Sequence, residues 1–228
     1  MLDSICGGNI VIYFISFGLA MPRNYTIQDK IDREFAFLVT DKANHDYYNK
    51  LLQHERLDIH AQVGVVLPVS YELARIEFDG DDFAIVLLDH SSERIAYYVK
   101  ARVWEDVVLN ACPVTQVLLW RTNDVKHELV TTGLARAIFF QYLLDRYNVV
   151  ASDCNQTVEG RDFWIRQTGF ALLTGLHVYR YHRIECDLVE ILDHAVIRDN
   201  SCDLWGDDED YCNVLAIISK DSIAQSVD

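Results

Sequence analysis

Residues 151–164 read ASDCNQTVEGRDFW. An acid, a thiol, two amides and two hydroxyls stand together between apolar residues 147–150 and the aromatic pair Phe163-Trp164. A loop accounts for such a run, and so does a strand whose end opens onto a site and is followed by a capped helix. In the second arrangement residues 148–152 are the strand and 153–157 its exit. Thr157 or a neighbour caps the next helix, with Glu159 near its positive start. Asp153 at a strand exit can polarise or orient an amine; the same position suits an Asp that caps a turn. Cys154 beside it is a reactive thiol or a small buried filler. Metal-ligand types occur at His182, Cys186 and His194, but no fourth ligand accompanies them, so no metal is assigned. Residues 199–210 lack the glycine that a standard calcium loop needs at its sixth position.

The elements that must position these groups follow from the hydrophobic rhythm. Residues 26–58 read mainly as helix with a core stripe from Leu51, Leu52 and Leu57, and residues 63–67 as a short strand. Apolar runs at 71–78, 83–88 and 95–104 are separated by short polar turns, which predicts an antiparallel meander. Residues 114–121 add a strand. From Thr131-Thr132-Gly133 onward the period changes. Leu134, Ala135, Ile138, Phe139, Tyr142 and Leu143 then mark one helix face, with Arg136, Gln141, Asp145 and Arg146 opposite. Thr131 or Thr132 can cap that helix. A strand to residue 151, a helix over 159–173 and a strand over 176–181 complete the order β, β, β, β, α, β, α, β from residue 71.

The chain has 228 residues, half of them apolar, enough for one domain with a real core. Its net charge of −15 repels phosphate backbones and anionic lipid surfaces, so neither nucleic acid nor membrane is an expected partner. Residues 199–228 carry eight acidic side chains against Lys220 alone and read as an acidic C-terminal extension, a solvated tail or a docking face for a basic partner. The six cysteines form no Cys-x-x-Cys pair and read as mostly reduced. Residues 1–20 hold an apolar run too short to span a bilayer and lack a basic start. They read as a leader or a buried strand, and a chain starting at Met21 is expected to fold without them. The domain proper is then 21–198.

Over residues 71–182 this order of elements resembles the GNAT superfamily of acyl-CoA-dependent N-acyltransferases. The best local match is TTGLARAIFFQYLLDRYNVVASDCNQTVEGRDFW. It also resembles GNAT-like proteins encoded by bacteriophages. There, a strand ending in Ser-Asp is followed by a Gln-Thr pair, a glycine and an aromatic; here these are Ser152, Asp153, Gln156, Thr157, Gly160 and Trp164. The resemblance implies an α/β (α+β) fold: a GNAT-like mixed, mainly antiparallel sheet with a central parallel strand pair and flanking helices. It implies acetyl-CoA as cofactor, its pyrophosphate held by backbone N–H groups where a glycine-bearing loop opens the central helix. Thr132, Gly133, Leu134, Ala135 and Arg136 fall there. Gly133 and Ala135 match the loop's small positions, while Val130 stands where the family has a basic or amide residue. For catalysis the resemblance implies a base for the amine, from Asp153, Glu128 or His127, and an acid for the departing thiolate. The usual tyrosine is missing from the helix after residue 157, and Cys154 is the replacement donor. Lys126 and Arg136 are the nearby cations. The expected activity is an acetyl-CoA-dependent N-acetyltransferase with an unassigned amine acceptor, located in the cytoplasm of a bacterial host or in a virion. The alternatives are a catalytically silent GNAT-like phage protein acting as a virion component or host-interaction protein, and an acidic inhibitor of a nucleic-acid-binding host protein.

Overall fold

The computed structural model describes residues 11–12, 35–78, 82–104, 109, 112–150, 158–199, 204 and 213–223. Strand β1 is Val11–Ile12. A helix pair follows, α1 at Ala36–Val39 and α2 at Asp41–Leu51. Thr40 caps α2 by accepting from the Ala43 N–H at 3.2 Å. Strand β2 (Leu57–Asp58) and the single turn α3 (His60–Val63) lead into the meander. The sequence predicts a strand over 63–67. Instead Val63 ends α3, Gly64 takes the left-handed φ of 72° that terminates it, and Val66 is 99% exposed. A β-branched apolar run without a sheet partner stays a loop.

The meander comprises β3 (Tyr71–Glu77), β4 (Phe83–Asp89), β5 (Arg94–Trp104) and β6 (Val114–Arg121), each antiparallel to the next. Every residue of β4 is buried, so both sheet faces are covered there. On one face Leu73, Phe83, Ile85 and Leu87 pack toward the helices after β6, and on the other Ile76, Val86 and Trp120 pack with Phe35, Leu38 and Leu51. Each such side chain contributes roughly 1.5–3 kcal/mol of burial.

After β6 come a 3-10 turn (Val125–His127), the turn α4 (Glu128–Thr131) and the central helix. That helix starts as α5 (Leu134–Ala137) and widens into a π-helical segment over Ile138–Leu143. The Leu144 N–H donates to the Phe139 carbonyl five residues back, at 3.0 Å. Leu134, Ile138, Phe139, Tyr142 and Leu143 are buried, while Arg136, Gln141, Asp145 and Arg146 are exposed, as the period requires. Strand β7 (Asn148–Val150) then pairs parallel with β6, Val114 opposite Asn148 and Gln116 opposite Val150.

Helix α6 (Val158–Leu173), β8 (His177–His182), β9 (Asp187–Glu190), the turn α7 (His194–Arg198) and β10 (Val214–Ser219) complete the described chain. The strand order is β2-β3-β4-β5-β6-β7-β10-β8-β9, with β1 on β6. The fold is therefore a mixed, mostly antiparallel sheet with one parallel pair among the described residues, flanked by helices. Residues 199–228 and 1–20, set apart from 21–198 in the sequence, each contribute a strand to the sheet. Residues 199–228 read as an extension, yet Val214–Ser219 lies fully buried between β7 and β8. The apolar run VLAIIS answers for that, and the acidic charge around it hid it. In the segment 1–20, Val11 and Ile12 pair with Trp120 and Leu119 of β6. Among the described residues no helix is long and apolar enough to cross a membrane.

Candidate functional site

The densest chemistry among the described residues lies at one end of the sheet, where β4 and β6 finish and β3 begins. Tyr71 is in register with Asp89, which sets a phenol beside a carboxylate. Asp89 is 1% exposed. Its Oδ1 accepts from the Ser91 N–H at 2.9 Å and the Ser91 hydroxyl at 2.5 Å, and its Oδ2 from the Ser92 hydroxyl at 2.5 Å. Burial works to raise this carboxyl, but those hydrogen bonds and the nearby His127 outweigh it and hold it below the usual carboxylate range.

His127 arrives from the other side. Asp124 caps the 3-10 turn by accepting from the Lys126 N–H at 3.1 Å, and the turn carries His127 inward to 2% exposure. Its Nδ1 stands 2.9 Å from the Tyr71 hydroxyl and 4.0 Å from Asp89 Oδ2, while its Nε2 is 4.0 Å from Asp124 Oδ2. Burial lowers the imidazole pKa and Lys126 pushes the same way, against the pull of Asp124 and Asp89. His127 is thus a neutral base near pH 7. Tyr71 is raised, first by burial and then by Asp89 and Asp124, and keeps its proton.

His127 lines a pocket of about 350 Å³. Leu38, Ile95 and Trp120 give it apolar wall, and the Trp120 indole N–H is buried without a partner among the described residues. Ser92, Arg94, Lys126, Asp41 and Asp124 supply the polar wall. The Lys126 ammonium is 3.7 Å from both Asp89 Oδ2 and Asp124 Oδ2, and Arg94 Nε is 3.8 Å from Asp41 Oδ1.

Of the residues singled out in the sequence, Lys126 and His127 line this pocket and residues 132–136 stand at the start of the central helix. Gly133 is the N-cap of α5 at φ 75°, with no side-chain cap. The expected threonine cap is not formed: the Thr131 hydroxyl donates to the His127 carbonyl at 3.0 Å and the Thr132 hydroxyl to the Glu128 carbonyl at 2.7 Å. Both threonines finish α4 rather than start α5. Gly133 and Arg136, with Phe140 and Phe170, line a separate hollow of about 460 Å³. Arg136 lays its guanidinium 4.4 Å over the Phe170 ring. Leu134 is buried and Ala135 half-buried, and of residues 132–136 only Gly133 and Arg136 line that hollow. Glu128 is exposed, next to His127 in sequence. Asp153 and Cys154 lie outside the described residues. Trp164 is fully buried and stacked at 5.2 Å on Phe139, a core position.

Sequence reasoning missed Tyr71, Asp89, Ser92, Arg94 and Trp120. Asp89-His90-Ser91-Ser92 passed as an ordinary turn, although an acid followed by hydroxyls directly after a six-residue apolar run is itself a signal. Among the described residues no group of three or more His, Cys, Asp or Glu side chains is placed to hold a metal ion. Comparison of the chain with known protein families, curated proteins and solved structures gave no match.

Proposed function

We propose that the chain is a GNAT-type N-acyltransferase using acetyl-CoA, with His127 as the base for an amine held in the pocket at the ends of β4 and β6. The observation that carries this reading is the parallel β6–β7 pair bridged by a helix that opens on a left-handed glycine, Gly133. In open sheets ligands favour the carboxyl ends of parallel strands, the end at which this helix begins. The helix start suits a phosphate-bearing cofactor. A Cβ built on Gly133 meets no atom within 4 Å, so the backbone there is open to close approach, and Arg136 offers an exposed cation in the same hollow. Thr132, Gly133, Leu134, Ala135 and Arg136 would hold the diphosphate. The bound cofactor supplies the activated acetyl thioester.

The rest belongs to the chain. A neutral imidazole with a carboxylate behind it accepts a proton from an ammonium or amine. With its proton on Nδ1, the His127 ring donates to the Tyr71 oxygen and leaves Nε2 free to take the amine proton. Asp89, held ionised, stabilises the imidazolium that results. Asp153 and Cys154 keep the roles that the resemblance implies.

A second reading, a GNAT-like scaffold without chemistry, has one observation in its favour. Beyond Gln116, where β7 ends, the free side of β6 is taken by β1 at Leu119 and Trp120. The chain itself then occupies an edge of β6 that a ligand would otherwise use. Amine-dependent release of free thiol from acetyl-CoA separates the two. The acyltransferase reading expects release by the wild type and a loss of about 10²–10⁴-fold in His127→Gln. No release above background with any primary amine favours the scaffold.

A further inference from the structure

We infer that the pocket at the ends of β4 and β6 binds a small zwitterion, a free α-amino acid. Its role as acyl acceptor rests on the acyltransferase reading; its binding does not.

The argument starts from charge. Arg94 and Lys126 stand against Asp41 and Asp124 around the opening, with the ionised Asp89 behind Lys126, so the wall presents both signs of charge. His127 adds no charge, because burial and Lys126 keep it neutral. A simple anion meets two carboxylates here and a protein of net charge −15; a simple cation meets an ammonium and a guanidinium. A molecule with both charges a few bonds apart meets a partner for each.

The spacing agrees. The ion pairs of the wall are loose: 3.7 Å from Lys126 Nζ to each neighbouring carboxylate and 3.8 Å from Arg94 Nε to Asp41. Those separations exceed the ~2.7–2.9 Å of a charge-assisted hydrogen bond, so the cations keep donors for an incoming carboxylate. Asp124 Oδ2 and His127 Nε2, 4.0 Å apart, are close enough for one ammonium to bridge them from the side, with the base adjacent to the proton it would remove. Leu38 and Ile95 give the ligand's side chain an apolar surface.

The test is calorimetry of the full chain with each standard free α-amino acid in turn. The best binder is then repeated as its decarboxylated amine and as its N-acetyl derivative. Binding by at least one amino acid is expected, weakened about tenfold or more by loss of either charge, and weakened likewise in Arg94→Gln and Asp124→Asn. Arg94 is half-buried and Asp124 exposed, so circular dichroism checks that both variants stay folded. If no amino acid binds, or the decarboxylated amine binds as tightly as its parent, the inference is overturned. Acetyl-CoA is titrated in parallel. Cofactor binding without amino-acid binding defeats only this inference, and amino-acid binding without cofactor binding defeats only the acyltransferase reading.

Discussion

The Tyr71 hydroxyl and the His127 Nδ1 stand 2.9 Å apart across 56 residues of sequence, one at the start of β3 and the other in the turn after β6. This contact ties the meander to the segment that leads into the central helix, and it orients the one buried imidazole that lines the pocket among the described residues. Tyr71→Phe keeps the ring and leaves Nδ1 buried without its partner. The expected cost is about 1–3 kcal/mol in urea unfolding. A change within about 0.5 kcal/mol would show that the contact contributes nothing to stability.

The same histidine gives the fold a pH dependence of fixed sign. Its folded pKa lies below the unfolded value of about 6.5, so below that pH the unfolded chain binds more protons than the folded one. Stability is full above about pH 6.5 and falls as the pH drops through that value toward the folded pKa. Tyr71, Asp89, Asp124 and Lys126 surround the ring, and of these Asp89 is held below the usual carboxylate range, outside this window. Unfolding midpoints at about pH 7.5 and 5.5 should therefore differ more for the wild type than for His127→Gln. Equal differences would remove the histidine from the account.

Two glycines separate backbone strain from crowding. Gly133→Ala adds a Cβ with nothing within 4 Å, yet φ is 75°, so a loss of about 1–2 kcal/mol is expected from the left-handed conformation alone. At Gly169 in α6 the added Cβ would come within 2.5 Å of the His194 ring. Gly169→Ala should cost about 1–3 kcal/mol, and the cost should shrink in a His194→Ala background. Persistence of the full cost there would place the strain elsewhere.

Strand β10 is expected to be indispensable. Ile217 is fully buried and pairs with Val150 on one side and Tyr179 on the other. Ile217→Ala should lower unfolding free energy by about 2–5 kcal/mol. A change below about 0.5 kcal/mol would return the segment to the status of a peripheral tail.

The meander and the strand–helix–strand unit were legible in the sequence, the first from apolar runs separated by short polar turns in residues 71–104, the second from a 3.6-residue period from Leu134 to Leu143. Strand β10 was obscured by averaging charge over thirty acidic-rich residues, which submerged the six apolar or small ones that matter. Residues 63–67 looked like a strand because propensity is local while pairing is not: Gly64 ended a turn there and Val66 found no partner. At the site, His127 was legible as a base by type. Tyr71 and Asp89 were not, because their roles come from the β3–β4 register and from a turn that folds β6 back over both. No local pattern encodes a contact made across 56 residues.

Isothermal calorimetry with acetyl-CoA tests the central claim, that an acyl-CoA is held where Gly133 and Arg136 open the central helix. The wild type, Arg136→Glu and Glu128→Arg are compared, with circular dichroism to confirm that each is folded. Arg136 and Glu128 are both exposed, so either change alters charge with little cost to the core. The expected result is binding by the wild type, weaker binding by Arg136→Glu and tighter binding by Glu128→Arg, because phosphates prefer the added cation and the lost carboxylate. No heat of binding with the wild type, and none gained with Glu128→Arg, would contradict the claim and leave the scaffold reading in its place.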